Sequence, residues 1–584
     1  MWIFPVAILT AILVMALIAV VGAVLNRLDR GKETESSESR PAAEKAQADG
    51  QTDTDFFGRM VFSFFPRLFG SKEKENELEH LGGYWLTRIV FLRSFGFIYF
   101  IAFFSLSHQL KPLIGENGLL PANLFLERIG DANSQGLLEA FWARPTLFWF
   151  TGISDGTMLM FCYLGIVLSL LVVSGMTNAV LMALLWMLYM SLVHVGQLFY
   201  GYGWEMLLLE MGFLSIFLCP LFGWKLLPQN SPTSKAVVVL YWWCLFRVMF
   251  GAGLIKIRGD ACWRDLTCMM YHYETQPIPN PFSWHLHQLP PFIHKVEVLA
   301  NHFIELIVPF CLFGPRRFRI VGGLLQVFFQ CLLIISGNLS FLNYLTIVCC
   351  IPCFDDRALR FFFKQDFTDR LKELLEPTKP QWLWPRRVIL GCLVGMVLYL
   401  SINPTLNLLS RKQAMNRSFD RLHLVNTYGA FGSVGKIRNE VILQGTYDEI
   451  SDDDAKWIEY EFKCKPGSVE RRPCVISPYH YRLDWQIWFA AMSNYQREPW
   501  LIHFAYKLLQ DDEGALSLLA GNPFKNGPPK FIRAELYKYR FTKIGSKSDD
   551  WWERERVAEY FPPLNLESEG LKKFLRAHGW LKEE

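Results

Sequence analysis

The 584-residue chain has no His-Glu-x-x-His or His-x-x-Glu-His metalloprotease pattern, no Gly-x-Ser-x-Gly nucleophile elbow and no phosphate-cradling glycine-rich loop. The common hydrolase and nucleotide-binding chemistries therefore have no residues to carry them. Net charge is also scarce. Fifty-nine Lys plus Arg against 55 Asp plus Glu leave only +4, too little for a nucleic-acid partner. Thirteen cysteines do not by number make a disulfide framework in a chain this long. No internal repeat is present. Apolar residues, by contrast, are abundant: they make up 51% of the chain, with 20 Trp and 48 Phe. They gather into nearly uncharged runs of about 15 to 25 residues, each near the length a helix needs to cross hydrocarbon. That pattern excludes a soluble enzyme, a disordered scaffold and a secreted miniprotein, and indicates a polytopic α-helical membrane protein.

The first run, Trp2–Leu25, is uncharged and has no basic residue before it. It reads as an uncleaved N-terminal anchor over 1–25, not a secretory signal. Arg27, Arg30 and Lys32 follow it, so the positive-inside rule places the next segment in the cytosol. Residues 26–83 are rich in Glu, Ser, Ala, Lys and Gln and are expected to be a largely disordered cytosolic linker. Within it, the aromatic and basic stretch Phe56–Phe69 is suited to lying along a membrane surface. Further apolar runs lie near 89–107, 157–175, 178–194, 204–220, 236–256, 297–314, 318–336, 338–352 and 388–403. Together they make about ten spans, with a membrane domain over 84–403. Threading them puts Arg316, Arg317, Arg319 and the basic segment Arg357–Arg387 in the cytosol, in agreement with the same rule. Loops 109–156 and 257–296 and everything after Pro404 then face outward. So do both sequons, Asn338-Leu-Ser340 and Asn416-Arg-Ser418, which become glycosylation candidates.

Residues 404–584 change character. Ile458, Tyr460, Phe462 and Cys464 alternate with Glu459, Glu461 and Lys463, the period of a strand with one buried face. Glu440–Thr446 and Lys530–Thr542 also read as strands, Trp500–Leu519 as a helix, and Lys465-Pro466-Gly467 as a turn. The expectation is a β-rich, sandwich-like soluble domain with helical additions.

Charged groups inside hydrocarbon are costly, which makes them the first candidates for function. His194, Glu205 and Glu210 flank a loop with a Gly-Tyr-Gly-Trp core, and Arg247 and Lys256 share one span. His302 and Glu305, three apart, share a helix face. These seven either form a polar cluster, with Arg247 paired to Glu210 or Glu305, or are separate ion pairs that fix helix register. In the outward loop, His272, His285, His287 and His294 match no zinc spacing, and no metal or other cofactor is expected. Cys262 and Cys268 are a candidate bridge there, and Cys464 and Cys474 bracket a hairpin turn on the oxidising side as a second. Cys350-Ile351-Pro352-Cys353 lacks the strand-to-helix setting of a redox pair and reads as ordinary apolar thiols. Tyr479, His480, Tyr481, Arg482, Trp485 and Trp488 crowd one short stretch. Exposed, they would be a client-binding patch; buried, they would be a core seam. Trp551-Trp552 is a second aromatic candidate.

Several long segments carry a resemblance. Tyr84-Trp85-Leu86-Thr87-Arg88, Leu113–Pro121, the Cys262–Pro281 loop with its Tyr-Glu-Thr-Gln-Pro core, Asn426–Gly432, Arg471–Cys474 and Pro478–Phe489 resemble the lipase maturation factor family. The match runs from about Tyr84 to Phe561, and the first 80 residues lie outside it. The resemblance implies a multi-pass protein of the endoplasmic reticulum membrane that assists folding and assembly of dimeric secreted lipases. It implies a luminal C-terminal domain that engages the client, and it brings no catalytic residue. In a bacterial setting the same topology would place that domain outside the cytoplasmic membrane. The alternative is a membrane-embedded modifying enzyme of carboxylase or transferase type, since the bundle distantly resembles vitamin-K-dependent carboxylase membrane domains. It would require the seven intramembrane residues to converge on one outward-open cavity.

Overall fold

A computed structural model of the chain describes residues 83–132, 136–223, 233–364, 383–450 and 455–581. The Trp2–Leu25 anchor and nearly all of the 26–83 linker lie outside the described residues. Each apolar run from 89–107 to 388–403 is helical. Six helices are long and apolar enough to cross a membrane: Trp85–Ile114, Asp155–Ser174, Lys235–Arg258, Pro291–Phe313, Arg316–Ser336 and Trp384–Leu409. The other runs form shorter helices, Ala179–Val195, Gly203–Ile216 and Leu342–Cys350. At 1.5 Å per residue the Gly203–Ile216 helix is only about 21 Å long, short of a full hydrocarbon core. It is buried from Trp204 to Ser215 on nearly every side, the property of a helix enclosed by others. Of the about ten spans expected, the Trp2–Leu25 run lies outside the described residues, six are long enough to cross and three are shorter helices, of which Gly203–Ile216 is enclosed by others.

Sequence punctuation explains the helix ends. Ser154 and Asn178 cap the Asp155 and Ala179 helices by accepting from Thr157 N and Leu181 N. Gly175 takes the left-handed conformation at the end of the first of these. The Pro291 helix relaxes through a π turn at Phe303–Ile307 where Pro309 enters the following turn.

The C-terminal domain holds one four-stranded antiparallel sheet in the order β2-β1-β3-β4, comprising β1 (Arg438–Thr446), β2 (Ile458–Glu459), β3 (Phe531–Phe541) and β4 (Trp552–Leu564). This corrects the sandwich expectation: among the described residues there is no second sheet. Helices Arg482–Ala490 and Pro499–Leu509 pack against β1 and β3 in its place. The aromatic run that alternation could have made a strand is instead a helix buried almost all round. The Trp500–Leu519 helix is split by a turn at Asp511, whose φ is +55°. The alternating segment 458–464 is a two-residue strand followed by a single bridge at Phe462. β4 was not anticipated. Its Glu553–Glu559 stretch is exposed on both faces, so no apolar alternation marks it. It is held by the β3 ladder and by ion pairs from Arg554 to Glu459 and from Arg556 to Glu535.

Candidate functional site

The seven intramembrane candidates do not converge. They separate into pairs, and most of these pairs tie one domain or segment to another. Glu205 faces Arg482 of the C-terminal domain, with Nη2 and Oε1 2.8 Å apart and both side chains fully buried. The same carboxylate accepts from Trp204 Nε1 at 3.1 Å and from the Tyr189 hydroxyl. Arg482 also donates to Phe199 O (2.8 Å) and stacks 3.8 Å over the Tyr200 ring.

Glu210 pairs with Arg247, one of the two partners expected for that arginine. Together they grip the Asn426-Thr427-Tyr428 segment. Asn426 N and the Tyr428 hydroxyl donate to Glu210 Oε2 at 3.0 and 2.7 Å, and Arg247 Nη1 donates to Asn426 O at 2.6 Å. The glycines of this neighbourhood allow close approach. A Cβ on Gly251 would stand 2.6 Å from Tyr428 O, and one on Gly259 2.2 Å from Gly432 O.

Lys256 binds Glu305 (2.7 and 2.8 Å) and Asn301 (2.8 Å), an enclosed set of its own. His302 Nε2 meets Trp263 O, and His194 Nδ1 meets Pro145 O. Buried charges satisfied pairwise in this way leave no shared reactive centre. Among the described residues no group of three His, Cys, Asp or Glu side chains could hold a metal ion.

The 479–488 run is not an exposed patch. His480, Arg482 and Trp485 are buried, while Tyr479, Tyr481 and Trp488 are half-buried. His480 sits among the rings of Tyr202, Trp204 and Trp485, with centroids 5.2 to 5.5 Å away. Gln109 of the first described helix donates to His480 O (2.7 Å) and accepts from Arg482 N (2.9 Å). Trp488 Nε1 donates to Thr275 O. Of the two readings of this run the structure favours the buried one: His480, Arg482 and Trp485 pack into the joint to the membrane bundle, while Tyr481 is half-buried and its ring meets Tyr479 and Lys463 of its own domain. Trp552 is buried too, and Trp551 packs on Trp284.

A second charged group in this joint was not anticipated. Arg438 and Lys465 both pair with Glu440, all three fully buried. Arg438 also donates to Glu274 O, Gln276 O and Pro277 O. The Glu274 carboxylate accepts from Phe541 N at 2.9 Å, and Gln276 Nε2 donates to Ser336 O. The Tyr-Glu-Thr-Gln-Pro core thus binds a span end, β1 and β3 together. Its sequence was conspicuous, but the distant partners Arg438, Glu440 and Lys465 carried no signal beyond their charge.

Both expected disulfides are present, Cys262–Cys268 with Cα atoms 4.8 Å apart and Cys464–Cys474 at 5.8 Å. Cys350 and Cys353 are free and buried. Asn338 departs from its expected role as a glycan acceptor. It is 1% exposed, and its Nδ2 donates to Cys474 O at 2.9 Å while its Oδ1 accepts from Ile476 N and Ser477 N. The folded chain leaves no room for a glycan there. Asn416 is half-buried, with Oδ1 accepting from Gly429 N.

Two family models match the chain, the lipase maturation factor transmembrane domain over residues 86–361 and the lipase maturation factor C-terminal domain over 424–562. The chain belongs to the lipase maturation factor family. It is 50% identical to human lipase maturation factor 1 over 522 residues, which cover 86% of this chain and 91% of that protein. It is equally 50% identical to the mouse protein of that name, covering 86% and 90%. Lipase maturation factor 2 of Xenopus laevis is 33% identical, covering 85% of each chain. No solved structure matches it. For this family member the scattered, paired polar residues give the modifying-enzyme alternative no support.

Proposed function

We propose that this chain is a membrane-embedded maturation factor that assists the folding and assembly of secreted, dimeric lipases without itself catalysing a reaction. Lipase is the client named by the relatives. The observation that carries the reading is the joint. Buried charges that an enzyme would gather into one pocket are here distributed as clamps, Glu205–Arg482 and Glu210–Arg247–Asn426 among them, between the bundle and the C-terminal domain. A rigid platform holding a folded domain beside a membrane suits a protein that retains partly folded chains.

In this reading residues 84–403 form the platform and 404–584 the client-engaging domain, preceded by the 1–25 anchor and the cytosolic 26–83 linker. The protein resides in the endoplasmic reticulum membrane with the C-terminal domain in the lumen, where both disulfides can form. The shorter helices complete the set of about ten membrane segments inferred from apolar length. Asn416 is the remaining glycan acceptor. In cells lacking their own maturation factor, the chain restores secreted lipase activity while lipase synthesis stays unchanged. Restoration without any dependence on the intact joint, or no restoration, overturns the proposal.

A further inference from the structure

Near one end of the Trp85–Ile114 helix an exposed apolar stripe meets the C-terminal domain. On the Trp85–Ile114 helix, Phe97, Phe100 and Phe104 form a stacked stripe whose Phe97 and Phe104 are exposed. On a spanning helix such a stripe faces acyl chains. The stripe ends at His108 and Lys111, which are exposed and polar, the change of character that marks the border of a hydrocarbon layer. The Tyr479 ring stands edge-on to Phe104, with centroids 6.4 Å apart, and its hydroxyl accepts from Gln109 Nε2 at 3.3 Å. A tyrosine with its ring on the apolar side of a border and its hydroxyl on the polar side is a membrane-interface anchor.

The neighbouring backbone is fixed at the same level. Asn338, two residues beyond the Arg316–Ser336 span, holds Cys474 O, Ile476 N and Ser477 N. Tyr344, at the start of the Leu342 helix, donates to Ser477 O. Between these ties the Val475 side chain is 67% exposed. We infer that the Val475–Tyr481 segment lies in the headgroup region of the bilayer, with Val475 and Tyr479 in contact with phospholipid, so that the C-terminal domain is seated on the membrane surface as well as on the bundle. The inference depends on the segment's position beside the span ends. It does not rest on the lipase reading or on which compartment that side faces.

The test uses the full chain in phosphatidylcholine nanodiscs, with Cys311 and Cys392 replaced by alanine and a bimane fluorophore at Val475→Cys or, for comparison, at Val557→Cys on exposed β4. A phospholipid carrying a nitroxide high on its acyl chain is expected to quench the label at 475 at least about threefold more than the label at 557, as an interfacial position requires. Aqueous iodide is expected to do the reverse. Equal quenching of the two labels by the lipid nitroxide, or free access of iodide to position 475, overturns the inference.

Discussion

Glu205 and Arg482 are 277 residues apart in the chain and 2.8 Å apart in the fold, both fully buried. One belongs to the short enclosed helix of the membrane bundle and the other to the first turn of the aromatic helix of the C-terminal domain. Removing one partner leaves a buried charge without compensation, at a cost of about 3–5 kcal/mol. Arg482→Met alone is therefore expected to loosen the joint severely. The Glu205→Gln, Arg482→Met double variant is expected to recover part of the loss. Thermal unfolding of the purified protein in detergent, followed for both single variants and the double, measures the coupling.

Close backbone approach predicts a contrast between glycines. Gly259→Ala would drive a methyl to 2.2 Å from Gly432 O, whereas a methyl at Gly391 meets nothing within 4 Å. Gly259→Ala is expected to shift or unseat the Asn426–Gly432 segment and lower the melting temperature. Gly391→Ala, in a helix, is expected to be neutral or slightly stabilising, since alanine is the better helix former by about 1 kcal/mol. Equal effects at the two positions would contradict the packing described.

Tyr428 supplies a finer probe of the Glu210–Arg247 clamp. Its hydroxyl donates to Glu210 Oε2 at 2.7 Å in a buried setting. Tyr428→Phe keeps the ring and removes one hydrogen bond, which is expected to cost about 1–3 kcal/mol. Protease sensitivity at the exposed Arg411–Lys412 junction should rise in the same variant if the clamp holds the start of the C-terminal domain in place.

Acid should weaken the C-terminal domain. Burial holds His480 well below the ordinary imidazole value, and burial likewise lowers His503 to about 4. Groups whose folded value is depressed contribute stability that is complete above about pH 6.5 and is lost as pH falls towards 4. Asp484 acts in the opposite sense. Burial raises it to about 6, against the pull of the Lys465 and Cys464 amides, so its contribution is complete below 3.8 and disappears as pH rises through 6. Melting temperature is expected to fall between pH 6.5 and 4.5. Asp484→Asn should steepen that fall and His503→Gln should flatten it.

Much of this architecture was legible in the chain. Long uncharged runs report helices because a 20-residue apolar stretch has few other soluble or membrane outcomes, whereas Lys465-Pro466-Gly467 and the paired cysteines mark a disulfide-closed loop and not the expected hairpin, since among the described residues no strand follows until Phe531. What escaped was whatever depends on distant partners. The length of the Gly203–Ile216 run did not tell that it is enclosed by other helices. The two-residue spacing of Tyr479 and Tyr481 fitted a strand edge as well as the lead into a helix. Arg438, Glu440 and Lys465 carry no sign in the sequence that they pair with one another in the core. β4, patterned in charge and not in apolar residues, had no signature that a hydrophobic period could detect.

The central claim is that the C-terminal domain works only when seated on its membrane platform. The direct test compares secreted lipase activity, at equal lipase synthesis, in cells lacking their own maturation factor. One set carries the whole chain, the other residues 404–584 secreted as a free domain whose folding is checked by formation of the Cys464–Cys474 disulfide. The whole chain should restore activity and the free domain should not. Full restoration by the free domain would contradict the account.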